Sequence, residues 1–535
     1  MRQTNILIIF LLILFSASAK AQESQYRYED ATQLWHQTDN AAALTLDSTR
    51  NRGYAQFVYQ HQEGDYSRVQ EGSQTNQLQF QTERYQKIGK FLHAYGHFNF
   101  DYGRTNNRAW CDVMRPYNSN PFFAGSSIAG SYDFQDFDFT AALGTTRFGH
   151  WTLGVRLDYK VGDLSRLRDP RSRSQLLDYK ITPAATYSLR NHTIALSLGY
   201  NRRKEKIIGL QTVQQDPSLM YYLMSGMENA EGTVGGYSSY SREWVNHQFQ
   251  AELSYGLRTP HTHHLLTAAI QRGTEDSYGQ YKYQPGQYVS YQYSADLRNR
   301  IHGENALHAI DLHADYTQAY ADEYRQQYHL DREMETVTTT KEVTGADGTT
   351  TTVEVVEQKP TSYTYTYYSN LITFKKRYQV KQLNLQAHYR FNFLEGQQVS
   401  TYLGAALAYN DTRNERLLPS SSLHYKSTNI TVEGGTQLFR HALWLDLACT
   451  YHISHQANLQ LADPTTDYAQ GVLIPDLPYY EANYWRAHLS LTYQFRLKIK
   501  GSQTKWFVRA AGDYLKTDNS LNASNIGFTL GLFNF

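Results

Sequence analysis

Residues 151–161, with the sequence WTLGVRLDYKV, alternate strictly between apolar and polar side chains. Every odd position from Trp151 to Val161 is apolar, and the even positions are Thr, Gly, Arg, Asp and Lys. Successive side chains of a strand point to opposite faces, so this pattern predicts a strand with one apolar and one polar face. The alternation lasts about eleven residues, which is the length of a tilted strand that crosses a bilayer.

The same alternation recurs along most of the chain, and each recurrence predicts another strand. The predicted strands are residues 54–62, 76–87, 90–102, 133–146, 150–162, 178–190, 192–205, 245–258, 262–274, 288–298, 307–320, 381–394, 398–411, 426–440, 441–454, 482–497, 503–515 and 523–535. Lipid cannot satisfy the open edge of a sheet, so such strands must close on themselves. Residues 53–535 are therefore predicted to form an all-β transmembrane antiparallel barrel of about 18 strands.

The connections between these strands alternate in length. Short connections lie near residues 88–90, 148–150, 190–191, 258–261, 394–398 and 440–441, and long ones near 103–132, 206–244, 321–380 and 455–481. Short periplasmic turns and long extracellular loops are typical of outer-membrane barrels. The predicted location is therefore the cell outer membrane, with both chain ends on the periplasmic side.

Residues 1–21 read as a signal peptide. Arg2 supplies the positive charge, residues 6–15 form an unbroken apolar run, and the Ala-Lys-Ala of residues 19–21 has the small-x-small spacing of a cleavage site. An apolar run of ten residues is too short to span a bilayer as a helix. The mature chain is expected to begin at Gln22.

Residues 22–52 show no clean strand period. Trp35 and Asn40, the latter followed by three alanines and Leu44, supply apolar surface that must be buried somewhere. Two interpretations stay open: a periplasmic tail, or a small hatch in the barrel mouth that contains Trp35 and Asn40.

The polar faces of the predicted strands carry charges of both signs, so most are expected to pair across strands. The predicted lumen-lining residues are His93, His97, Asp101, Arg156, Asp158, Lys160, Glu252, Asp311, His313, Asp315, Arg390, Asp446 and Arg486. Trp444 also falls on this polar face.

Motifs for catalysis or cofactor binding are weak. Asp311 and His313 lie two apart on one strand face and could be an acid–base site, although a satisfied polar pair is favoured. His261, His263 and His264 cluster near a predicted turn, where solvated histidines are favoured over a metal site. The sequence has no G-x-S-x-G elbow, phosphate loop or zinc motif. We therefore predict no enzymatic activity, no cofactor and no metal site, and a net charge of +1 gives no argument for nucleic acid.

Three further features concern the loops, the cysteines and the C-terminus. Residues 337–358 are rich in Thr and Val around a turn at 346–348, which favours an extracellular hairpin over a disordered loop. Cys111 falls in a predicted loop and Cys449 in a predicted strand, and their spacing does not favour a disulfide. The chain ends in Phe535, which resembles the signal used by barrel-assembly machinery, and a bulge near Gly531 would restore the alternation there.

Several short patches carry a resemblance to a known family. They are Trp35 followed by the Asn-Ala-Ala of residues 40–42, the Pro-Tyr of residues 116–117 leading to the GSSIAG of residues 125–130, and the Asp-Pro-Arg of residues 169–171. With these patches the chain resembles an uncharacterised family of outer-membrane β-barrels from Bacteroidota-type bacteria, a domain of unknown function. The resemblance implies the barrel, its location and a link to nutrient or metal uptake, and it transfers no site residues.

The leading hypothesis is therefore a barrel that transports a solute or assists a nutrient or metal uptake system, because a ring of about 18 strands encloses a lumen. Its expected partners are outer-membrane lipid, barrel-assembly machinery, and a TonB-dependent receptor or surface lipoprotein. The alternative is a surface binding or scaffold barrel that uses its long loops. A barrel hydrolase is the lesser alternative.

Overall fold

The computed structural model describes residues 22–47, 51–115, 117–212, 219–234, 240–279, 283–439, 442–499 and 502–533. The predicted signal peptide and Phe535 lie outside these residues. The strands are β1 (Arg52–Gly64), β2 (Gln74–Ile88), β3 (Leu92–Arg108), β4 (Ala124–Gly125), β5 (Gly130–Thr145), β6 (Trp151–Arg166), β7 (Arg171–Leu189), β8 (His192–Gln211), β9 (Met220–Met224), β10 (Ala230–Val234), β11 (Ser241–Arg258), β12 (Thr262–Tyr278), β13 (Gly286–His302), β14 (Ala306–Thr344), β15 (Thr350–Leu394), β16 (Val399–Arg416), β17 (Ser421–Leu438), β18 (Leu443–Gln460), β19 (Tyr484–Ile499), β20 (Ser502–Thr517) and β21 (Asn522–Phe533).

Eighteen of these strands form one closed antiparallel barrel, and β4, β9 and β10 form a separate small sheet. Each barrel strand pairs with its neighbours along the chain, and the ring closes where β1 pairs with β21 between Tyr54↔Phe533 and Gly64↔Ala523. Closure removes the sheet edges that lipid could not satisfy. The predicted fold is therefore confirmed. The alternation of apolar and polar residues along the chain corresponds to the outer and inner faces of the barrel wall.

The β6 strand shows how the two faces differ. Trp151, Leu153 and Val155 are 48%, 47% and 44% exposed, whereas Thr152 between them is buried against the interior. Large exposed apolar side chains recur in this way on strands around the barrel. An apolar band outside a polar interior is the arrangement of an outer-membrane barrel, so the chain is a protein of the cell outer membrane.

Three predicted loops are shorter than expected because the strands run on beyond the bilayer. β3 continues to Arg108, and β8 continues to Gln211. β14 and β15 are 39 and 45 residues long and pair as far as Thr344↔Thr350, so the predicted loop 321–380 is mostly a paired ribbon. The exposed ribbon is defined here as residues 323–374.

The bulge expected near Gly531 is absent from the described part of β21, where the pairings with β1 and β20 run without a register shift. Phe533 instead points inward, where its ring stacks on Phe507 and lies 4.8 Å from the ring of Tyr26. The alternation breaks here because Phe533 packs against the N-terminal part of the chain rather than against lipid.

Helices are few and short. An α-helix spans Gln22–Thr32, and two 3-10 turns follow at Trp35–Gln37 and Ala41–Thr45. A π-helical turn at Ala469–Leu473 and a helix at Leu477–Glu481 lie in the β18–β19 connection. In the described parts of the chain, no helix is long and apolar enough to cross a membrane.

Candidate functional site in the barrel lumen

Residues 22–47, called the N-terminal segment here, lie inside the barrel at the end that carries the short turns. Arg27 donates two hydrogen bonds of 2.9 Å to the Asp446 carboxylate, and its guanidinium lies 4.3 Å from the Trp444 ring. Asp446 also accepts hydrogen bonds from Trp444 and Tyr402. Trp444 is thus on the polar face because it packs against the N-terminal helix.

Glycines of the barrel wall make room for the rest of this segment. A Cβ on Gly154 would lie 2.3 Å from the Ala42 nitrogen, and a Cβ on Gly256 would lie 2.5 Å from the Trp35 ring. A strand glycine marks a close approach of another backbone or ring. The segment is therefore seated against the wall rather than loosely enclosed.

Both residues singled out in this segment are buried. Trp35 packs with Ala195 and Leu265 of the wall. The side-chain amide of Asn40 donates a hydrogen bond of 3.3 Å to the Leu196 carbonyl oxygen. Their contacts lie on β8 and β12, across the lumen from the Arg27 site on β18.

An ion-pair cluster ties the middle of the segment to the wall. Asp39 lies 2.6 Å from the Lys180 ammonium and 3.4 Å from the Arg156 guanidinium. Burial by itself would raise the pKa of Asp39, but the two cations hold it below its usual value. The segment therefore carries a charged carboxylate that the wall compensates.

The predicted lumen-lining residues are distributed around the wall and are mostly paired. Their partners include Asn99 and Gln77 for Asp101, Asp39 and Asp158 for Arg156, Asp136 for Lys160, Ser197 for Glu252, Arg300 for Asp311, Asp296 for His313, Gln292 for Asp315, Glu433 for Arg390, Arg27 for Asp446 and Asp513 for Arg486. His93 and His97 are half-buried on β3 and lie opposite Lys87 and Glu83 of β2. No single cluster brings the set together.

The two residues of the candidate acid–base site, Asp311 and His313, each pair with a different residue and not with each other. Asp311 lies 2.7 Å from Arg300, and His313 lies 2.9 Å from Asp296. His264 pairs with Asn299, and the His263 ring packs against His302. Among the described residues, no group of three His, Cys, Asp or Glu side chains is placed to hold a metal ion.

The opposite end of the lumen is covered by part of the β3–β5 connection, residues 109–115 and 117–125, which is called the inward loop here. Arg115 lies 2.8 Å from Glu275 of β12, and Asn120 donates a hydrogen bond of 2.8 Å to the same carboxylate. The Met114 N–H donates to Glu205 of β8 at 2.5 Å. Side chains on several wall strands therefore hold this loop across the opening.

Two other connections complete a folded cap over this loop. β9 pairs with both β4 and β10, and the Met224 N–H donates to the Phe123 carbonyl at 2.9 Å. From the β18–β19 connection, Tyr480 hydrogen-bonds to the Tyr117 hydroxyl. The cap is defined here as the inward loop together with residues 220–234 and 461–483.

A cavity of about 330 Å³ lies within the cap. Its lining mixes polar side chains, such as Gln70 and Asn118, with the rings of Tyr117 and Tyr378. Alternation along strands could not reveal this cavity, because its walls combine loops with the ends of strands that lie far apart in sequence. The concentration of methionine near residues 220–227 was the one sequence signal available.

The chain belongs to the family of unknown function DUF6850, whose model matches residues 41–534. This confirms the resemblance to an uncharacterised family, while the bacterial group stays a prediction. No curated protein sequence matches the chain.

Among solved structures the chain is similar to outer-membrane receptors and transporters at low scores. The copper transporter OprC has 9% identity and a TM-score of 0.39, with 91% of this chain and 82% of that chain covered. The siderophore receptor PirA from Pseudomonas aeruginosa has 8% identity and a TM-score of 0.34, with 90% and 81% covered. The FrpB iron transporter from Neisseria meningitidis has 9% identity and a TM-score of 0.38, with 93% and 83% covered. Similarity at this level assigns no function.

Proposed function

We propose that this protein is a gated barrel that moves a small solute across the outer membrane, alone or as the accessory of a nutrient or metal uptake system. The N-terminal segment would gate the periplasmic mouth, and the inward loop would form the external constriction. The observation that carries the proposal is the occupation of both ends of one polar lumen by separate elements, each held to the barrel wall by side-chain contacts and not by pairing with a barrel strand.

The contacts of the N-terminal segment favour a removable gate. Among them are the contacts of Arg27, Asp39 and Asn40 and the packing of Trp35, which lie on separate strands of the wall. A segment that is held by side-chain contacts and not by strand pairing can leave without breaking any barrel pairing, so opening need not unfold the barrel. The wall behind it would then expose charged side chains such as Asp446 and Lys180 to water, so the opened mouth would be wettable.

Conductance of the purified protein in planar bilayers tests this proposal. The wild-type barrel is expected to conduct weakly, and a variant that lacks residues 22–47 is expected to conduct more. A variant that also replaces residues 112–122 with a short Gly-Ser linker should conduct most, because both ends are then open. Each variant is first checked for the heat-modifiable mobility of a folded barrel. If folded barrels that lack both elements conduct no better than wild type, the proposal is wrong.

The accessory form of the proposal requires a partner in the same membrane. After cross-linking in cells, a tagged barrel should capture a TonB-dependent receptor or a surface lipoprotein. Outer-membrane lipid and barrel-assembly machinery are also expected, but any barrel of this kind would contact them. Solute uptake by vesicles that contain the barrel alone would instead favour independent transport. The expectation of no enzymatic activity stays a prediction.

The exposed ribbon favours a second candidate function, surface binding. Its strands leave the barrel with register shifts between Ala321 and Glu323, and they carry large exposed side chains such as Tyr363 and Leu330. An isolated two-stranded ribbon is marginally stable in water, so a partner would stabilise it. A variant in which a short turn replaces residues 332–364 should no longer capture the partner, and its conductance should be unchanged. Unchanged capture by this folded variant would contradict the binding function.

A further inference from the structure

Three basic side chains follow one another on the outward face of β8. They are Arg202, Lys204 and Lys206, and this set is called the basic column here. Glu205 and Ile207 are buried on the inner face, so the residues that alternate with them point outward. β8 pairs with β11 without a register shift over these positions, so the column is not interrupted. Among the described barrel strands, no other has three successive outward positions that are all basic.

The basic column begins directly above the apolar band of the barrel. On the same face of β8, Ile194, Leu196 and Leu198 are exposed, and Tyr200 separates them from Arg202. Rings of aromatic side chains mark the membrane–water interface of outer-membrane barrels. The turn before β8 is one of the short periplasmic turns, so the column lies at the external end of the strand. Its side chains are therefore at the level of the lipid headgroups of the outer leaflet.

The protein itself compensates only part of the charge of the basic column. Lys204 lies 3.0 Å from Glu243 of β11. Arg202 and Lys206, in contrast, have no carboxylate within 4.0 Å among the residues that the structure describes. Two positive charges of the column are therefore left for an anionic group outside the protein.

We propose that the basic column binds the phosphate groups of a phosphorylated glycolipid of the outer leaflet, whose acyl chains lie along the apolar residues below it. Basic side chains beside a membrane attract anionic headgroups, and Arg and Lys both form charge-assisted hydrogen bonds to phosphate. Side chains two positions apart on a strand are about 7 Å apart, so the column spans about 13 Å and can contact more than one phosphate. The apolar contact below the column favours a lipid over free phosphate, because only a lipid uses both parts of the site.

Another outward region of the barrel provides a matched control. Lys381, Arg413 and Lys426 face outward on the neighbouring strands β15, β16 and β17, since buried residues alternate with them. In this region Lys426 lies 3.3 Å from Asp411, and Arg413 pairs with Glu415. A general attraction between cations and an anionic membrane would act on both regions. A phosphate site requires cations without such carboxylates, so it is expected at the basic column and not here.

Titration of lipid A that carries two phosphates into the detergent-purified barrel, followed by native mass spectrometry, tests the proposal. We expect the wild-type protein to retain one molecule. The affinity should fall by about 10- to 100-fold in the triple variant Arg202→Gln, Lys204→Gln and Lys206→Gln. Each protein is first checked for the heat-modifiable mobility of a folded barrel. The substituted side chains point away from the lumen, so the test does not depend on the gate.

The control variant combines Lys381→Gln, Arg413→Gln and Lys426→Gln, which removes the same number of positive charges. It should bind lipid A as the wild type does. Dephosphorylated lipid A should bind the wild-type protein weakly, and millimolar inorganic pyrophosphate should not displace the phosphorylated lipid. Wild-type affinity in the basic-column variant, equal losses in the two variants, or equal binding of the dephosphorylated lipid would each overturn the proposal. Displacement by pyrophosphate would overturn the assignment to a lipid.

A second measurement needs no variant. In the wild-type protein, one equivalent of lipid A should protect Lys204 and Lys206 from acetylation by an N-hydroxysuccinimide ester, as read by mass spectrometry. Lys381 and Lys426 should be acetylated equally with and without the lipid. Equal acetylation of the basic column in both conditions would contradict binding there. Such a result would leave the gated barrel untouched, because that proposal concerns the lumen.

Discussion

Gly144 of β5 and Gly154 of β6 are register partners, and the backbone of residues 41–42 passes directly over both. A Cβ on Gly144 would lie 2.4 Å from the Ala41 carbonyl oxygen, closer than any real contact of that kind. Beside them, the Thr152 hydroxyl donates a hydrogen bond of 2.7 Å to the Ala42 carbonyl. The wall is therefore shaped to accept a peptide backbone at this level of the lumen.

Replacing Gly154 by Val should displace the N-terminal segment from this seat. The added side chain would collide with backbone atoms of Ala41 and Ala42, which cannot swing away as a flexible side chain can. In planar bilayers we expect a folded Gly154→Val barrel to conduct close to the level of the variant without residues 22–47. Gly96→Val is the matched control, because a Cβ on Gly96 meets no atom within 4 Å. Wild-type conductance in Gly154→Val would contradict the gating role.

The Arg27–Asp446 contact should be an energetic anchor of the N-terminal helix. The contact consists of two charge-assisted hydrogen bonds of 2.9 Å in a half-buried site. Its loss should lower the stability of the docked helix by about 1.5–3 kcal/mol. Arg27→Met should therefore lower hydrogen-exchange protection of the amides in residues 22–32 by about 10- to 100-fold. Asp446→Asn should lower this protection less in the Arg27→Met protein than it does in the wild type. Additive effects of the two substitutions would show that the contact does not couple them.

The barrel was predictable because its cause is local. Every strand that crosses lipid must place apolar side chains on one face, and Trp151 to Tyr159 show this without reference to any other part of the chain. Strand ends were less predictable, because paired strands continue beyond the bilayer in β14 and β15, where no lipid enforces alternation.

The contacts inside the lumen were not predictable from the same pattern. Arg27 meets Asp446 across 419 positions of sequence, and Arg115 meets Glu275 across 160. Alternation assigns a residue to a face but does not say which loop or segment will cover it. Trp444 and Phe533 break the pattern because they contact the N-terminal segment, and such exceptions are the useful signal for an occupied lumen.

The Arg115–Glu275 pair should hold the inward loop across the external opening. Both side chains are almost fully buried, 5% and 9% exposed, and their closest atoms lie 2.8 Å apart. Glu275→Gln would leave the guanidinium without its counter-charge, which costs about 3–5 kcal/mol for a buried pair. We expect faster hydrogen exchange and proteolysis within the inward loop. Glu243→Gln, which removes the counter-charge of the more exposed Lys204, is the control and should leave this loop unchanged. Equal effects of the two variants would count against the role of the pair.

Asp476 should make the docking of the β18–β19 loop depend on pH. The carboxylate accepts a hydrogen bond of 2.9 Å from the Val69 N–H, and the residue is 5% exposed. Burial raises the pKa of Asp476 to about 6, although the Val69 hydrogen bond and Arg68 oppose the rise. The docked loop therefore binds this proton more tightly than the open loop does. Docking should be strongest below the ordinary carboxyl pKa of 3.8. It should weaken as the pH rises from there to about 6, and it should stay constant above pH 6.

Asp476→Asn should remove this dependence, because the amide is neutral and still accepts the Val69 hydrogen bond. A shift from 3.8 to about 6 corresponds to about 3 kcal/mol, so protection of the amides in residues 469–481 at pH 7 should rise by about a hundredfold at most. Hydrogen exchange between pH 4 and 7, corrected for intrinsic rates, measures both effects. Asp463→Asn is the control, since that fully exposed carboxyl has its pKa lowered by Thr465 instead. Wild-type protection that increases with pH, or a slope that persists in Asp476→Asn, would contradict the assignment.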